Sequence, residues 1–162
     1  MKFLCDEMLA GLARWLRAAG YDTTMALPGT HDRALLDLAR AQNRTLLTRD
    51  RAIVQIKDAT NHTFVLETEG LDNWARELRQ RLNLNWLADP LSRCLVCNVE
   101  LTEASIEALA RMPEDSRNGA GPFHECPKCH RGYWPGSHVR RMRKRLEGFS
   151  RHTPGHGGSE TP

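Results

Sequence analysis

The chain has 162 residues, 40% of them hydrophobic and 27% charged, with a formal net charge of +3. That size and balance suit a globular chain with one ordinary domain and space for a small module. No apolar run approaches the roughly 18–20 residues that span a bilayer. The start, Met1-Lys2-Phe3-Leu4-Cys5-Asp6-Glu7, meets a charged pair too early for a signal peptide. A membrane partner is not expected, and a cytoplasmic, reducing setting is.

In chain order, Phe3-Leu4-Cys5 predicts a short buried strand ending at Asp6-Glu7. Leu9, Leu12, Ala13, Leu16 and Ala19 then recur at helical spacing, and Gly20 is placed to stop that helix. Tyr21–Met25 alternates and is rich in strand formers, so a second strand is expected. Pro28–His31 predicts a loop, with Asp32 capping a helix that carries Leu35, Leu36, Leu38 and Ala39. Leu46-Leu47 predicts a third buried strand that emerges at Thr48-Arg49-Asp50, followed by a helix from Arg51 to about Lys57. Thr63–Leu66 reads as a fourth strand with Glu67 and Glu69 at its far end. Leu71, Trp74, Ala75, Leu78 and Leu82 then form another helical stripe. Strands that alternate with helices imply right-handed crossovers and a parallel sheet covered on both faces.

The pattern breaks near Asp89-Pro90, and cysteine spacing organises the remainder. Cys94-x-x-Cys97 and Cys126-x-x-Cys129 each present two thiolates about one tetrahedral edge apart. Two such turns complete a closed four-cysteine zinc site, structural because no position is left for water. His124 and His130 lie beside these ligands and are not expected to replace them. Cys5 is expected to be a small core residue. Between the pairs, Thr102–Met112 predicts a helix with Thr102 as its cap, and residues 113–122 predict an exposed loop. Ser137 is placed to cap a last helix bearing Arg140, Arg141, Arg143, Lys144 and Arg145, a stripe suited to phosphate backbone. The expected organisation is an α/β domain over residues 1–88, a zinc ribbon with its basic helix over 89–148, and a disordered tail over 149–162.

In a parallel sheet, Asp6, Asp32 and Asp50 fall at one carboxyl edge, with Glu69 or Asp72 as a possible fourth acid. Converging carboxylates repel one another unless a divalent cation neutralises them, and oxygen ligands suit Mg²⁺ or Mn²⁺. Such ions promote phosphodiester hydrolysis. Thr48 is placed to hydrogen-bond a carboxylate or phosphate. Arg14, Arg17, Arg49 and Arg51 are candidate phosphate contacts, whereas Asp22 and Asp58 are expected to have no special role.

Asp6-Glu7-Met8-Leu9, Leu12-Ala13-Arg14-Trp15-Leu16-Arg17, Leu46-Leu47-Thr48-Arg49-Asp50, the two cysteine pairs and Tyr133-Trp134-Pro135-Gly136-Ser137-His138 occur in order. Together they resemble the Mut-seven C-terminal RNase domain, a PIN-like family, over about residues 2–142. The resemblance implies a PIN-like three-layer domain with a parallel sheet and a C-terminal zinc ribbon. It also implies metal-dependent RNA cleavage, with the family's acidic positions at Asp6, Asp32 and Asp50. The main expectation is a Mg²⁺- or Mn²⁺-dependent ribonuclease. Its rival is a non-catalytic RNA- or ribosome-binding adaptor, and a toxin of a toxin–antitoxin pair is a third reading that the ribbon makes less attractive.

Overall fold

The computed structural model describes residues 1–56, 59 and 61–151. The expected strands form as β1 (Lys2–Cys5), β2 (Asp22–Met25), β3 (Thr45–Thr48) and β4 (Thr63–Val65), all parallel in the order β2-β1-β3-β4. Leu4 and Leu46 face one side and Phe3, Cys5 and Leu47 the other, so two cores form. The first is closed by α1 (Ala10–Ala18) and α3 (Leu71–Leu82), the second by α2 (Asp32–Ala41). Leu35, Leu36 and Ala39 of α2 are buried at i, i+1 and i+4, the apolar stripe of a one-faced helix.

Gly20 ends α1 as expected, and two constraints require glycine there. Its φ is +96°, and a Cβ would lie 2.5 Å from the Asp89 carbonyl oxygen. That close approach is where the second module begins to lie against the first.

The cysteine module holds β5 (Thr102–Glu103), β6 (His124–Glu125) and β7 (Gly132–Tyr133) in an antiparallel sheet. It also holds α4 (Ile106–Ala110) and α5 (Glu114–Arg117). The last element is α6 (Ser137–Ser150). Its Met142, Leu146 and Phe149 are buried in the core shared with α1 and α3. Phe149 meets Trp15 edge-on at 5.5 Å and Trp86 at 5.0 Å. The basic helix is thus pinned to the α/β domain by its apolar face, while Arg140, Arg141, Arg143 and Lys144 stay exposed.

Several local expectations are corrected. His31, not Asp32, caps α2, its Nδ1 accepting from the Ala34 amide. Asp32 instead occupies the first turn, where a carboxylate complements the helix dipole. The segment after Asp50 forms only a 3-10 turn, Ala52–Gln55. Lys57 and Asp58 lie outside the described residues. The tail expected over 149–162 starts later than that, because Phe149 and Ser150 belong to α6 and Phe149 packs in the core, and residues 152–162 lie outside the described residues. Thr102 caps nothing, because Thr102-Glu103 pairs with His124-Glu125 as a strand, and Ser105 caps the shorter α4. Gly136 rather than Ser137 is the N-cap of α6, which has no side-chain cap. Within 113–122, Glu114–Arg117 is a helical turn.

Asp22 also departs from expectation, because it joins the two modules. Arg44 donates to both its oxygens at 2.8 and 3.1 Å, and Asn98 of the first cysteine knuckle donates at 2.6 Å. The Asn98 side-chain oxygen in turn accepts from the Thr23 amide of edge strand β2. Burial tends to raise the Asp22 carboxyl, but the Arg44 and Asn98 hydrogen bonds outweigh it and hold the group below its ordinary value. A carboxylate with a depressed folded pKa contributes stability that is complete above its unfolded pKa, about 3.9, and lost as pH falls through the folded value. Asp22→Asn is therefore expected to cost roughly 1–3 kcal/mol at pH 7 and less at pH 3, below the unfolded value. Urea denaturation at the two pH values measures this.

Candidate active site and metal centre

The carboxyl ends of β1 and β3 lie side by side, since Cys5 is in register with Leu47 and the Asp6 amide donates to the Leu47 carbonyl at 3.0 Å. Asp6 and Thr48 therefore emerge together. The buried Thr48 hydroxyl donates to Asp6 Oδ2 at 2.8 Å and accepts from the Asp50 amide at 3.0 Å. One hydroxyl thus ties both loops into one piece. The remaining Asp6 oxygen accepts from the Glu7 amide, and Asp50 Oδ1 accepts from the Ala52 amide at 2.7 Å. These bonds fix the direction of each carboxylate and leave lone pairs free, because an ionised carboxylate has about four acceptor sites. Asp32 opens α2 directly after the β2–α2 connection, and Glu7 braces that connection by accepting from the Gly29 amide at 2.9 Å.

Among the described residues, Asp6, Asp32 and Asp50 form no ion pair with a cationic side chain. The two candidate fourth acids differ. Glu69 meets Arg49 at 2.6 Å, and Asp72 meets Arg145 of α6 at 2.9 Å. Each is balanced locally by a guanidinium. Glu77 was not anticipated. Its buried carboxylate accepts from the Glu67 and Thr68 amides and the Thr68 hydroxyl, and pairs with Arg81 at 3.1 Å. Burial raises its pKa, but those bonds win and hold the group charged. It shapes the β4–α3 loop that carries Glu69. A lone Glu on a helical stripe gives no sequence signal of such a role.

The second centre is formed by Cys94, Cys97, Cys126 and Cys129, whose sulfurs all lie within 4.8 Å of one another. Each pair sits on the same kind of turn. Cys97 N–H donates to Cys94 Sγ at 3.3 Å, and Cys129 N–H to Cys126 Sγ at 3.4 Å. Asn98 and His130, the residues after each pair, take left-handed φ values of 65° and 56° that close the knuckles. Neither His124 nor His130 joins the cluster. Burial disfavours the Cys94 thiolate, but hydrogen bonds from the Tyr133 hydroxyl and the Cys97 and Val96 amides bring it down to about 6. Cys97, whose thiol bonds to Cys129, is pushed up to about 12. Four thiolates this close repel one another, and a bound cation such as zinc removes the conflict.

This centre is braced against the α/β domain. Arg17, a candidate phosphate contact, instead donates to the carbonyls of Thr23, Leu95 and Val96 at 2.8–3.0 Å. Arg93 donates to the Gly20 carbonyl.

The sequence matches the model of the Mut7-C RNAse domain over residues 1–146. The chain belongs to the Mut7-C RNase domain family. The human exonuclease mut-7 homolog is 29% identical to it over 103 residues, which take in 61% of this chain and 12% of that protein. The chain therefore spans only a small part of the length of that curated relative. No solved structure matches the chain. In this Mut7-C domain, Thr48 links the Asp6 side chain to the Asp50 backbone at the sheet edge, and Asp32 opens α2. Among the described residues, the cysteines are the group gathered at one ligand point, and the three aspartates are not. Arg14, Arg140, Arg141 and Arg143 are exposed. No helix is long and apolar enough to cross a membrane among the described residues.

Proposed function

We propose that this chain is a ribonuclease that hydrolyses RNA phosphodiester bonds with Mg²⁺ or Mn²⁺ held by Asp6, Asp32 and Asp50. Its four-cysteine module binds zinc structurally. The observation that carries this reading is the Thr48 bridge, which holds the Asp6 carboxylate and the Asp50 backbone at one sheet edge, with the Asp50 carboxylate set by the Ala52 amide and neither acid paired with a cation. Surface aspartates are usually free to rotate, whereas these are held by a buried hydroxyl and by backbone amides. Carboxylates fixed in this way suit a hard divalent cation. When bound, the ion would supply the Lewis-acid charge that phosphodiester hydrolysis needs.

The chain's own residues do the rest. Asp6 and Asp50 set the position of the charge, and Asp32 closes the third side from α2. Exposed Arg140, Arg141 and Arg143 hold the phosphate backbone. Arg49 is kept at the rim by Glu69, and Asp72 anchors α6 through Arg145.

Thr48→Val tests this reading directly. The side chain keeps its volume but loses the bridge, so cleavage in Mn²⁺ should fall roughly 10- to 100-fold, the usual range for a group that orients metal ligands. RNA affinity should be unchanged. A Thr48→Val protein with wild-type cleavage overturns the reading. A non-catalytic RNA-binding adaptor is the second reading, favoured by the aspartates not being gathered at one ligand point. It expects RNA binding through the basic helix and no metal-dependent cleavage by the wild type.

A further inference from the structure

Trp134 stands between two grooves that the acidic site does not use. The first has a volume of about 370 Å³ and lies between α1 and the start of α6, with Arg14, Arg131, His138, Tyr133 and Val96 on its walls. The second, of about 340 Å³, lies on the other side and is walled by His124, Pro122, Arg140 and Arg143. Trp134, Tyr133 and Val139 line both. Neither groove has a carboxylate on its walls. In a chain with 20 Asp and Glu residues, that leaves both grooves electropositive.

Two more features match the same chemistry. Val96 is 55% exposed on the wall of the first groove and offers it apolar surface. The first turn of α6, Gly136–Val139, opens into that groove and has no side-chain cap. The Gly136 amide is taken by the Trp134 carbonyl, and the Ser137, His138 and Val139 amides that follow add partial positive charge where an anion would sit. An aromatic ring flanked by arginines, with apolar surface and no acid, suits an unpaired base and its phosphates. A base in a duplex has no open face to offer Trp134.

From these observations we infer that the junction of the ribbon and α1 is a single-strand nucleotide-binding site, with Trp134 as the stacking surface between successive bases. Arg14 and Arg131 hold the phosphate on one side, and Arg140 and Arg143 hold it on the other. Arg14 lies on α1, the helix that follows the Asp6 turn, about 6 Å along it from Ala10 at 1.5 Å per residue. The site therefore selects single strands and feeds them toward the aspartate edge. The inference rests on the reading of the chain as an RNA enzyme, and it names how the substrate is gripped.

The test is equilibrium binding of a fluorescent single-stranded RNA decamer and its duplex, in an Asp50→Asn background that keeps the probe intact. Trp134→Ala should weaken single-strand binding roughly 5- to 100-fold, the range for loss of one stacked base. Trp134→Phe should restore most of it, and duplex binding should change little. Arg14→Gln and Arg131→Gln should each lower the slope of log affinity against log salt by about one. Val96→Glu places a carboxylate in the groove from an exposed position, and gives the same expectation if Trp134→Ala fails to fold.

Single-strand binding within twofold of the parent, in a Trp134→Ala or Val96→Glu protein with unchanged zinc content, overturns the inference. So do equal losses on single strand and duplex. Wild-type cleavage with unchanged Trp134→Ala binding removes the grooves and leaves the nuclease. Lost Trp134→Ala binding with a wild type that cleaves nothing supports the grooves and removes the nuclease.

Discussion

Asp50→Asn protein should cleave single-stranded RNA in Mn²⁺ at on the order of 1% of the wild-type rate or less, the effect of losing one preorganised electrostatic group. The substitution keeps the shape and one side-chain oxygen. The Ala52 amide that donates to Oδ1 therefore keeps its acceptor, and the loop keeps its turn. Only the negative charge is lost. Of the three aspartates, Asp50 is the one with an exposed position and its amide held by Thr48, so its substitution perturbs the fold least. The measurement is a single-turnover cleavage rate at saturating RNA, with zinc content and melting temperature as controls. Wild-type cleavage by a folded Asp50→Asn protein would refute the assignment of the acidic edge. A wild type inactive in both Mg²⁺ and Mn²⁺ would favour the adaptor instead.

The second large effect is at the cysteines. Purified protein should carry one zinc per chain, and Cys126→Ser should carry almost none. Apparent binding free energies of structural zinc are about 10–16 kcal/mol. The module's own sheet is three strands of two residues each, which cannot supply comparable stability. Loss of the metal should therefore unfold residues 94–134 while α1, α2 and α3 persist.

Native thiol titration separates the two regions. In Cys126→Ser, Cys94, Cys97 and Cys129 become reactive. Cys5, fully buried at the end of β1 and pushed up to about 12 by that burial, stays protected. Undocking also removes the Leu95 and Val96 carbonyls from Arg17 and Asn98 from Asp22, so the α/β domain itself should melt at a lower temperature. A zinc-free wild type whose melting is insensitive to Cys126→Ser would overturn the prediction.

The order of elements in the first 82 residues is legible in the sequence because each element carries its own period. Leu12, Ala13 and Leu16 repeat as a helix, and Leu46-Leu47 is too short and apolar for anything but a buried strand. The cysteine knuckles are legible because two identical spacings leave few alternatives. A hydrogen bond from Thr48 to a carboxylate or phosphate is expected from its place at a strand end, and the fold decides that the acceptor is Asp6. Helix caps are less legible. Asp32 and His31 are adjacent and both accept hydrogen bonds, so a one-residue shift decides which is the cap. Thr102 departs from its expected role for a non-local reason, since its strand partner lies more than 20 residues away.

Periodicity, spacing and chain direction are local quantities, and they suffice for the parallel α/β order, the two cysteine pairs, the strand-end positions of Asp6 and Asp50 and the place of Asp32 at the start of α2. How the modules meet, and which charges remain available, depends on the folded chain. There Arg17 is a brace, Asp22 a junction, Glu77 a loop anchor and Trp134 a wall between two grooves. The fate of a long polar or aromatic side chain depends on which distant backbone groups come within about 3 Å of it, and nothing in the neighbouring sequence carries that information.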